Sequence, residues 1–445
     1  MLFFKRIYPL FFLLFLICTG LQAQTNFDKA KLSQLFDSLA FHDRVMGTLS
    51  IMEKGEIVYN KAIGKSLLEP PVASLPNTTY RIGSLTNMFT AVMIFQLIDA
   101  QKLSLDTPLD TYYPQLPNAK EITVAHLLTH QSGMYNLLMD STYQTWYQQP
   151  RTKAQMVDLL SKREPIMNPG YEHGFNPTNY LILGYIIEDI SGKSYEKVLK
   201  KQVIKKAKLK NTSAATEYTS ATRSYYYEQY AWYLNSITHP SVAHGAGAIV
   251  STPQDINRFM TALFEGALVS QRSLDTMTTI DDGFGHGLFQ FPIEGKSAYG
   301  HNGGIDAFAA TVSYFPDSQT SISLCTNGSN YSLIELMRSV FKIYFGGDYD
   351  IPSFELYQPS AEELKQYEGE YVLTRSPVKM TLRVKDGILM AYSTKESGFP
   401  LSPLQKDSFE FNAGFIKMDF LRDGQQQISG FLMDQNGRPY QFQKM

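Results

Sequence analysis

The stretch from Ser84 to Ala100 constrains the fold more than any other part of the chain, because it is almost wholly apolar. A helix with apolar side chains on every side, instead of along one stripe, must be buried on all its faces. Such a helix needs a large surrounding core, which a chain of 445 residues can supply. Hydrophobic residues make up 44% of the sequence and charged residues 18%, as in ordinary globular proteins. We therefore expect a large folded domain built around this helix.

Strands and further helices are expected on both sides of the apolar stretch. The predicted elements are a helix within residues 27–45, strands at Gly47–Met52, Glu56–Tyr59, Phe308–Phe315 and Ser321–Cys325, and a helix at Leu333–Tyr344. Mixed helix and loop are expected in the interval up to about residue 265. Cys325 lies in an apolar run, where a small buried core residue is the expected role.

The last 80 or so residues have a different pattern. Apolar and polar residues alternate strictly over residues 378–385, and the pairs Asp386-Gly387, Asp423-Gly424 and Asn436-Gly437 favour tight hairpin turns. Residues 346–360 are rich in Gly, Pro and Ser, which is typical of a linker. We predict a large domain over residues 24–350, a linker at 351–362 and a small all-β domain at 363–445.

The N-terminus has the features of a secretory signal. Lys5 and Arg6 precede a short apolar run, and small and polar residues lead to a cleavage site after Ala23. The apolar run is shorter than the roughly 20 residues that a membrane-spanning helix requires. We expect residues 1–23 to be removed and the protein to be exported to the periplasm or the exterior, with no stable membrane span. Lipid attachment at Cys18 is not expected, because Ile17 is bulky where a small residue is required.

Charge and motif content exclude several classes of partner. The formal net charge is −2, and we identify no basic run, so no nucleic-acid partner is expected. His126 and His130 have the spacing of zinc ligands but lack the glutamate of the H-E-x-x-H motif. No metal and no cofactor is expected.

Several motifs, taken together, resemble one enzyme family. They are Tyr80–Leu97 (YRIGSLTNMFTAVMIFQL), Leu105–Leu109, His126–Gly133 (HLLTHQSG), Pro169-Gly170, Thr178–Gly184 (TNYLILG), Gly245–Phe259 (GAGAIVSTPQDINRF) and Tyr299–Gly304 (YGHNGG). In this order they resemble the serine β-lactamases and penicillin-binding proteins, in the esterase and D-Ala-D-Ala peptidase branch related to class C β-lactamases. The resemblance covers about residues 30–345. The C-terminal module resembles the small lipocalin-like domain that is often attached to exported members.

This resemblance implies the fold class, which is α/β (α+β). An antiparallel sheet built from the N- and C-terminal strands of the large domain would be flanked by helices. A mostly helical region would be inserted between them, with the nucleophile at the junction. The small all-β domain would follow as a barrel or sandwich.

The resemblance also implies roles for individual residues. Ser84 occupies the position of the nucleophile of the S-x-x-K motif, and its backbone N–H and that of Gly304 would form the oxyanion hole. His301 and Gly303 belong to the third motif in its H-x-G form, and His301 would help to hold a substrate carboxylate or carbonyl.

Two of the three family signatures are broken in this sequence. Asn87 stands where the family has its catalytic lysine, and Phe175 where it has its tyrosine, while the Y-x-N triplet as a whole reads Phe175-Asn176-Pro177. A serine hydroxyl is a weak nucleophile until a base removes its proton, and neither an amide nor a phenyl ring can do so at neutral pH. His173, two residues before Phe175, is a possible substitute base, and Glu172 is a weaker one.

Three functions therefore stay open. The first is a catalytically impaired protein that binds a peptide or cell-wall-type ligand. The second is an active serine hydrolase, such as an amidase, esterase or D-amino-acid peptidase, that uses Ser84 with a substitute base or a water-mediated route. The third is a surface interaction or glycan-binding module, for which the aromatic stretch Tyr225–Tyr233 offers contact area.

Overall fold

The computed structural model describes residues 27–215, 222–228, 231–354, 357–374, 376–393, 398–411, 416–435 and 438–445. The expected signal segment, residues 1–23, lies outside them. Within the described residues, no helix combines the length and apolarity that crossing a membrane requires.

The large domain contains both helices and strands. Its helices are α1 (Lys29–Phe41), α2 (Thr86–Asp99), α3 (Val124–Leu128), α4 (Tyr143–Trp146), α5 (Lys153–Ser161), α6 (Pro177–Ser191), α7 (Tyr195–Leu199), α8 (Pro240–Gly247), α9 (Pro253–Phe264), α10 (Gln271–Met277) and α11 (Leu333–Tyr344). Its strands are β1 (Val45–Glu53), β2 (Glu56–Ile63), β3 (Lys65–Leu67), β4 (Val72–Ala73), β5 (Tyr80–Arg81), β6 (Ser213–Ala214), β7 (Tyr225–Glu228), β8 (Ala231–Leu234), β9 (Ile249–Ser251), β10 (Phe289–Ile293), β11 (Lys296–Ile305), β12 (Phe308–Phe315) and β13 (Thr320–Ser329). Short 3₁₀ turns lie at Gly83–Leu85, Leu109–Thr111 and Leu137–Met139, and a π-helical turn lies at Lys200–Ile204.

The main sheet has six strands in the order β10-β11-β12-β13-β1-β2, and every neighbouring pair is antiparallel. The sheet joins the two ends of the large domain, because β1 from the N-terminal part pairs with β13 from the C-terminal part, with Leu49 opposite Leu324. This confirms the sheet that the resemblance implies. The helix expected within residues 27–45 ends earlier, at Phe41, since Asp43 has a positive φ and the chain turns there into β1.

Alternating side chains of β13 reach the two faces of the sheet. Ile322 and Leu324 pack into the apolar layer formed with α1 and α11. Ser323 and Cys325 face the other side, where the Ser323 hydroxyl donates to the Asn257 side chain of α9 over 2.8 Å. Cys325 is fully buried in the larger core and forms no disulfide, as expected. Helices therefore cover both faces of the sheet.

The inserted region between β2 and β10 is mostly helical, and α2 lies inside it. Ten consecutive residues of α2, from Thr86 to Phe95, are buried. The ring of Phe89 stacks on that of Phe259 of α9, with centroids 3.9 Å apart. The apolar stretch identified in the sequence is thus surrounded by protein, and its N-terminal end meets the edge of the sheet.

The C-terminal residues form a separate closed barrel of eight antiparallel strands, preceded by the short helix α12 (Ala361–Gln366). The strands are β14 (Gly369–Leu373), β15 (Lys379–Lys385), β16 (Ile388–Tyr392), β17 (Gly398–Gln405), β18 (Ser408–Phe411), β19 (Ile416–Arg422), β20 (Ile428–Gln435) and β21 (Arg438–Lys444). Aromatic side chains pack in its interior, among them Tyr371, Phe409, Phe420, Phe431 and Phe442. The barrel core is therefore filled by the protein's own side chains.

The predicted turns of the barrel are found where the structure describes them. Asp386 and Gly387 both have positive φ and connect β15 to β16. At Asp423 the turn is longer than a two-residue hairpin, because its carboxylate accepts from the backbone N–H groups of Gln425 and Gln427. The pair at 436–437 lies outside the described residues. Within the predicted linker, Phe354 is buried and its carbonyl accepts from the Arg44 guanidinium at 3.0 Å, so this part of the segment is held against the large domain.

Candidate active site

Ser84 lies in the 3₁₀ turn Gly83–Leu85, immediately before α2. It is half-buried, whereas its neighbours Gly83 and Leu85 are buried. The turn follows the short strand β5, which pairs with β9 and so connects the serine to the body of the domain. Because Ser84 precedes the first turn of α2, its hydroxyl lies at the positive end of the helix dipole.

The glycines of β11 allow the sheet edge to touch this turn. A Cβ atom on Gly303 would lie 2.2 Å from the carbonyl oxygen of Ile82 and 2.9 Å from the backbone nitrogen of Ser84. A Cβ atom on Gly83, whose φ is +51°, would lie 2.9 Å from the backbone nitrogen of Gly304. Neither approach leaves room for a side chain. The structure thus places the backbone of Gly83 and Ser84 directly against that of Gly303 and Gly304.

Asn87 begins the next turn of α2 after Ser84 and is fully buried. Neither its side-chain nitrogen nor its side-chain oxygen has a hydrogen-bond partner among the described residues. A buried amide with unmade hydrogen bonds costs stability, at roughly 1–3 kcal/mol for each unsatisfied group. The position that the resemblance assigns to the family's lysine is therefore occupied by a neutral amide without hydrogen-bond partners among the described residues.

Phe175 lies just before α6, with its ring centroid 6.2 Å from that of His301 and 4.8 Å from that of His130. The two residues that follow it begin the helix. Asn176 accepts a hydrogen bond from the backbone N–H of Thr178 at 3.0 Å, and Pro177 stands at the first helical position. Pro suits this position because its missing N–H would have no partner there. The triplet Phe175-Asn176-Pro177 thus serves as a helix start and offers no proton-transfer group.

His301 is on the same face of β11 as Gly303, two residues away, and is almost fully buried. Its Nδ1–H donates to the carbonyl oxygen of Asn302 over 2.6 Å, since a carbonyl can only accept. The remaining nitrogen, Nε2, is consequently an acceptor in the neutral ring. Burial lowers the pKa of His301 to about 4, so the ring is neutral near pH 7.

His130 is a second buried histidine in this region, and in the sequence only its zinc-like spacing from His126 draws attention to it. Its Nδ1 accepts from the backbone N–H of Asn176 at 3.1 Å, so that nitrogen carries no proton. Burial, reinforced by the neighbouring His301, lowers the pKa of His130 to about 3. The rings of Phe175 and Phe289 each contact both histidines, so the four rings form one cluster.

His173 is engaged in structural contacts. Its Nδ1 lies 2.8 Å from the carbonyl oxygen of Thr129 and its Nε2 lies 3.2 Å from a carboxylate oxygen of Asp281. Its ring also stacks on Phe284, with centroids 4.9 Å apart. Both ring nitrogens thus have partners in this arrangement, which leaves neither available to Ser84. Glu172 is exposed.

A cavity of about 370 Å³ adjoins the serine turn. Its lining includes Ser84 and Gly304 and is mixed, with the apolar or aromatic residues Leu137, Leu138, Tyr143, Tyr147, Pro177, Leu181, Val242, Ala243, Ala246 and Ile305 and the polar residues Gln144, Thr178, Asn235 and Thr238. Asp306 also lines it, but its carboxylate is paired with Arg81 and accepts from the backbone N–H of Thr238 at 2.9 Å. The cavity therefore contains no uncompensated charge from this carboxylate.

The aromatic stretch at 225–233 lies elsewhere, in the β7–β8 hairpin, and does not line this cavity. Tyr225 is buried and its hydroxyl accepts from the backbone N–H of Leu68 at 3.0 Å. Trp232 donates to the Asp43 carboxylate at 2.9 Å. Tyr226 and Tyr233 stack on each other on the exposed side of the hairpin, with centroids 5.5 Å apart. Residues 229–230 are outside the described part.

The family model for β-lactamase matches residues 32–335, which is more than half of the chain. The chain belongs to the serine β-lactamase and penicillin-binding protein family. Two curated relatives of this family are similar to it. A putative penicillin-binding protein of Bacillus subtilis is 28% identical over 69% of this chain and 76% of that protein. A teichoic acid D-alanine hydrolase of Staphylococcus aureus is 25% identical over 64% of this chain and 71% of that protein.

A solved structure supports the same fold over both domains. The octameric penicillin-binding protein homologue from Pyrococcus abyssi superposes with a TM-score of 0.65 at 22% identity, covering 94% of this chain and 100% of that one. Because the match extends beyond the family domain, the eight-stranded barrel is included in the shared architecture.

Proposed function

We propose that this chain is an exported, β-lactamase-related binding protein whose Ser84 site holds a peptide, amide or ester ligand of the cell-wall type and turns it over slowly or not at all. The observation that carries this proposal is Asn87, a buried amide without hydrogen-bond partners at the position of the family's lysine. The N-terminal sequence supports export to the periplasm or the exterior. The relative named teichoic acid D-alanine hydrolase supports a cell-wall-type ligand.

We expect impaired turnover because the groups that normally transfer protons are missing. Acylation of Ser84 requires its hydroxyl proton to move to a base, and the leaving group must then receive a proton. Asn87 cannot accept the first proton and Phe175 exchanges none. Loss of the base in a serine hydrolase costs about 10⁴–10⁶ in rate, and the oxyanion hole accounts for what remains.

Ligand binding does not depend on that base. The backbone N–H groups of Ser84 and Gly304 suit a ligand carbonyl, and the adjoining cavity suits an uncharged apolar group attached to it. With Nδ1 committed to Asn302, Nε2 is the nitrogen of His301 that can accept a hydrogen bond from a ligand. We therefore assign to His301 the binding of a ligand N–H or O–H, in place of the carboxylate or carbonyl that the resemblance implied.

A calorimetric titration with N-acetyl-D-phenylalanine amide tests the binding half of the proposal. Leu138 lines the cavity and is 57% exposed, and the adjacent Met139 is 69% exposed but does not line it. Leu138→Ser should weaken binding several-fold, whereas the matched variant Met139→Ser should leave it unchanged. Equal effects of the two variants, or no binding by the parent protein, would contradict the assignment of the cavity.

Intact-mass measurement after incubation with a fluorophosphonate or a penicillin tests the catalytic half. The proposal expects little adduct on the parent protein over hours, with Ser84→Ala as the blank. Rapid, stoichiometric labelling of Ser84 would show that a proton acceptor operates, and would remove the basis for impaired turnover.

The second candidate function is an active hydrolase, and the orientation of His301 is the observation that favours it. A neutral imidazole with a free Nε2 is the form of histidine that acts as a general base. Hydrolysis of 4-nitrophenyl acetate that disappears in both Ser84→Ala and His301→Gln, but persists in His173→Gln, would establish this alternative. Loss in His173→Gln alone would indicate His173 as the substitute base.

A further inference from the structure

Residues 193–210 carry a concentration of positive charge that the sequence analysis overlooked. The segment contains eight lysines, called here the lysine face: Lys193, Lys197, Lys200, Lys201, Lys205, Lys206, Lys208 and Lys210. Glu196 is the one acidic residue among them. The segment therefore carries +7, which leaves −9 for the rest of a chain whose formal net charge is −2. The formal charge is therefore distributed very unevenly along the chain, although its total is close to zero.

All eight lysine side chains are exposed. Within the described residues, none of them lies within ion-pair distance of a carboxylate. Some lysines elsewhere do form ion pairs: Lys61 pairs with Asp37 at 2.6 Å and Lys162 pairs with Asp158 at 2.7 Å. The positive charge of the lysine face is thus directed to solvent, although the Asp99 carboxylate offsets part of it through its interaction with Lys206.

The segment that carries these lysines is anchored in the core of the large domain. Tyr195, Val198, Leu199 and Val203 of the same segment are buried in the core of the large domain. The Tyr195 hydroxyl lies 2.7 Å from that of Thr90 in the middle of α2. Because apolar residues at helical spacing anchor one side of the segment, the lysines between them are left on the outer side.

The lysine face lies at the opposite end of α2 from the serine. Gln96, near the C-terminal end of α2, donates to the carbonyl oxygen of Gln202 at 3.1 Å. Gln96 follows Ser84 by twelve residues, which at 1.5 Å of rise per residue corresponds to about 18 Å. A partner on the lysine face would therefore leave the cleft at Ser84 open.

We propose that the lysine face docks this protein on an anionic phospholipid bilayer. A planar array of phosphates complements an exposed array of point charges, and each lysine near such a surface is worth about five-fold in the partition coefficient. The segment contains no arginine and no exposed aromatic side chain. Bidentate phosphate recognition and base stacking, which nucleic-acid binding uses, are therefore not provided here. The cleft would then face away from the membrane.

Vesicle co-flotation of the full chain tests the proposal. Vesicles of phosphatidylcholine with 30% phosphatidylglycerol are compared with pure phosphatidylcholine, so that any contribution of the apolar N-terminal segment is measured separately. The variant replaces Lys200, Lys201, Lys205 and Lys206 by Gln. Its matched control replaces Lys54, Lys120, Lys365 and Lys385 by Gln as well, and these are exposed lysines distributed over both domains.

The parent protein and the control should bind the anionic vesicles, and raising the salt from 50 to 500 mM should release them. The variant should bind at least 100-fold less tightly. Equal binding by variant and control, or equal binding to both kinds of vesicle, would overturn the proposal. So would binding of the parent to soluble poly(glycerol phosphate) without binding to vesicles, because the partner would then be a polymer and not a bilayer.

Discussion

Gly303 and Ser84 are in backbone contact: a single added methyl group on Gly303 would lie 2.9 Å from the Ser84 nitrogen. This contact joins the sheet edge to the turn that precedes α2. It depends on a missing side chain, so a small change at position 303 can separate the serine from the strand that completes its site.

Gly303→Ala should distort the serine turn. The new Cβ would also lie 2.2 Å from the Ile82 carbonyl oxygen, so the strand or the turn must move. We expect a loss of unfolding free energy of about 1–3 kcal/mol in urea denaturation, and weaker binding of any carbonyl ligand. Gly424→Ala is the control, because a Cβ there meets no atom within 4 Å. An unchanged stability for the variant would contradict the contact.

Asn87→Leu should stabilise the protein. Both polar atoms of the buried amide lack partners, so an apolar side chain of similar volume removes a cost and adds buried apolar surface. Urea denaturation should show a gain of about 1 kcal/mol or more. The control is Asn257→Leu, which should destabilise, because that buried amide donates to the Ser50 carbonyl and accepts from Ser321 and Ser323. Destabilisation by Asn87→Leu would show that the amide is hydrogen-bonded after all.

Asp306→Asn should be strongly destabilising. Its carboxylate pairs with Arg81 where both side chains are no more than 5% exposed, and breaking such a pair from one side costs about 3–5 kcal/mol. Asp158→Asn removes the exposed pair with Lys162 and should cost less than about 1 kcal/mol. Thermal unfolding of the two variants compares them directly. Similar melting temperatures would contradict the structural role of the buried pair.

Acid should destabilise the fold through its buried histidines. Burial lowers the pKa of His301 to about 4 and that of His130 to about 3, whereas a histidine in the unfolded chain titrates near 6.5. Between these values the unfolded state binds more protons, so stability falls as the pH falls. From pH 7 to pH 5 the loss should be about 2 kcal/mol for each histidine. In urea denaturation, His301→Gln should show a smaller loss over the same interval, and an identical pH dependence would contradict the assignment.

The sequence was sufficient to predict the main architecture. The largely apolar stretch after Ser84 is a helix that is buried from Thr86 to Phe95, because apolar side chains on every side of a helix require a surrounding core. The strict alternation at 378–385 is a strand, and the Asp386-Gly387 pair is a turn, because each pattern has few structural solutions. The oxyanion hole was implied by resemblance, and the close approach of Gly83 to the backbone of Gly304 explains why position 83 is a glycine.

Other features depend on tertiary contacts that no local pattern encodes. The Asn302 carbonyl sets the tautomer of His301. Asn87 lacks hydrogen-bond partners because none of the described residues that surround it in the folded core offers one. His173 appeared available from its position beside Phe175, yet Thr129 and Asp281 engage both its nitrogens. The lysine face can be recognised in the sequence from its eight lysines, but the net charge of the whole chain, which is close to zero, gives no sign of it.

The most direct test of the account restores the two missing proton-transfer groups. The double variant Asn87→Lys with Phe175→Tyr is compared with the parent protein and Ser84→Ala for steady-state hydrolysis of a D-alanyl ester. The account predicts turnover by the double variant and none above the Ser84→Ala blank by the parent. Turnover by the unmodified protein, through a Ser84 adduct that forms and then clears, would contradict it.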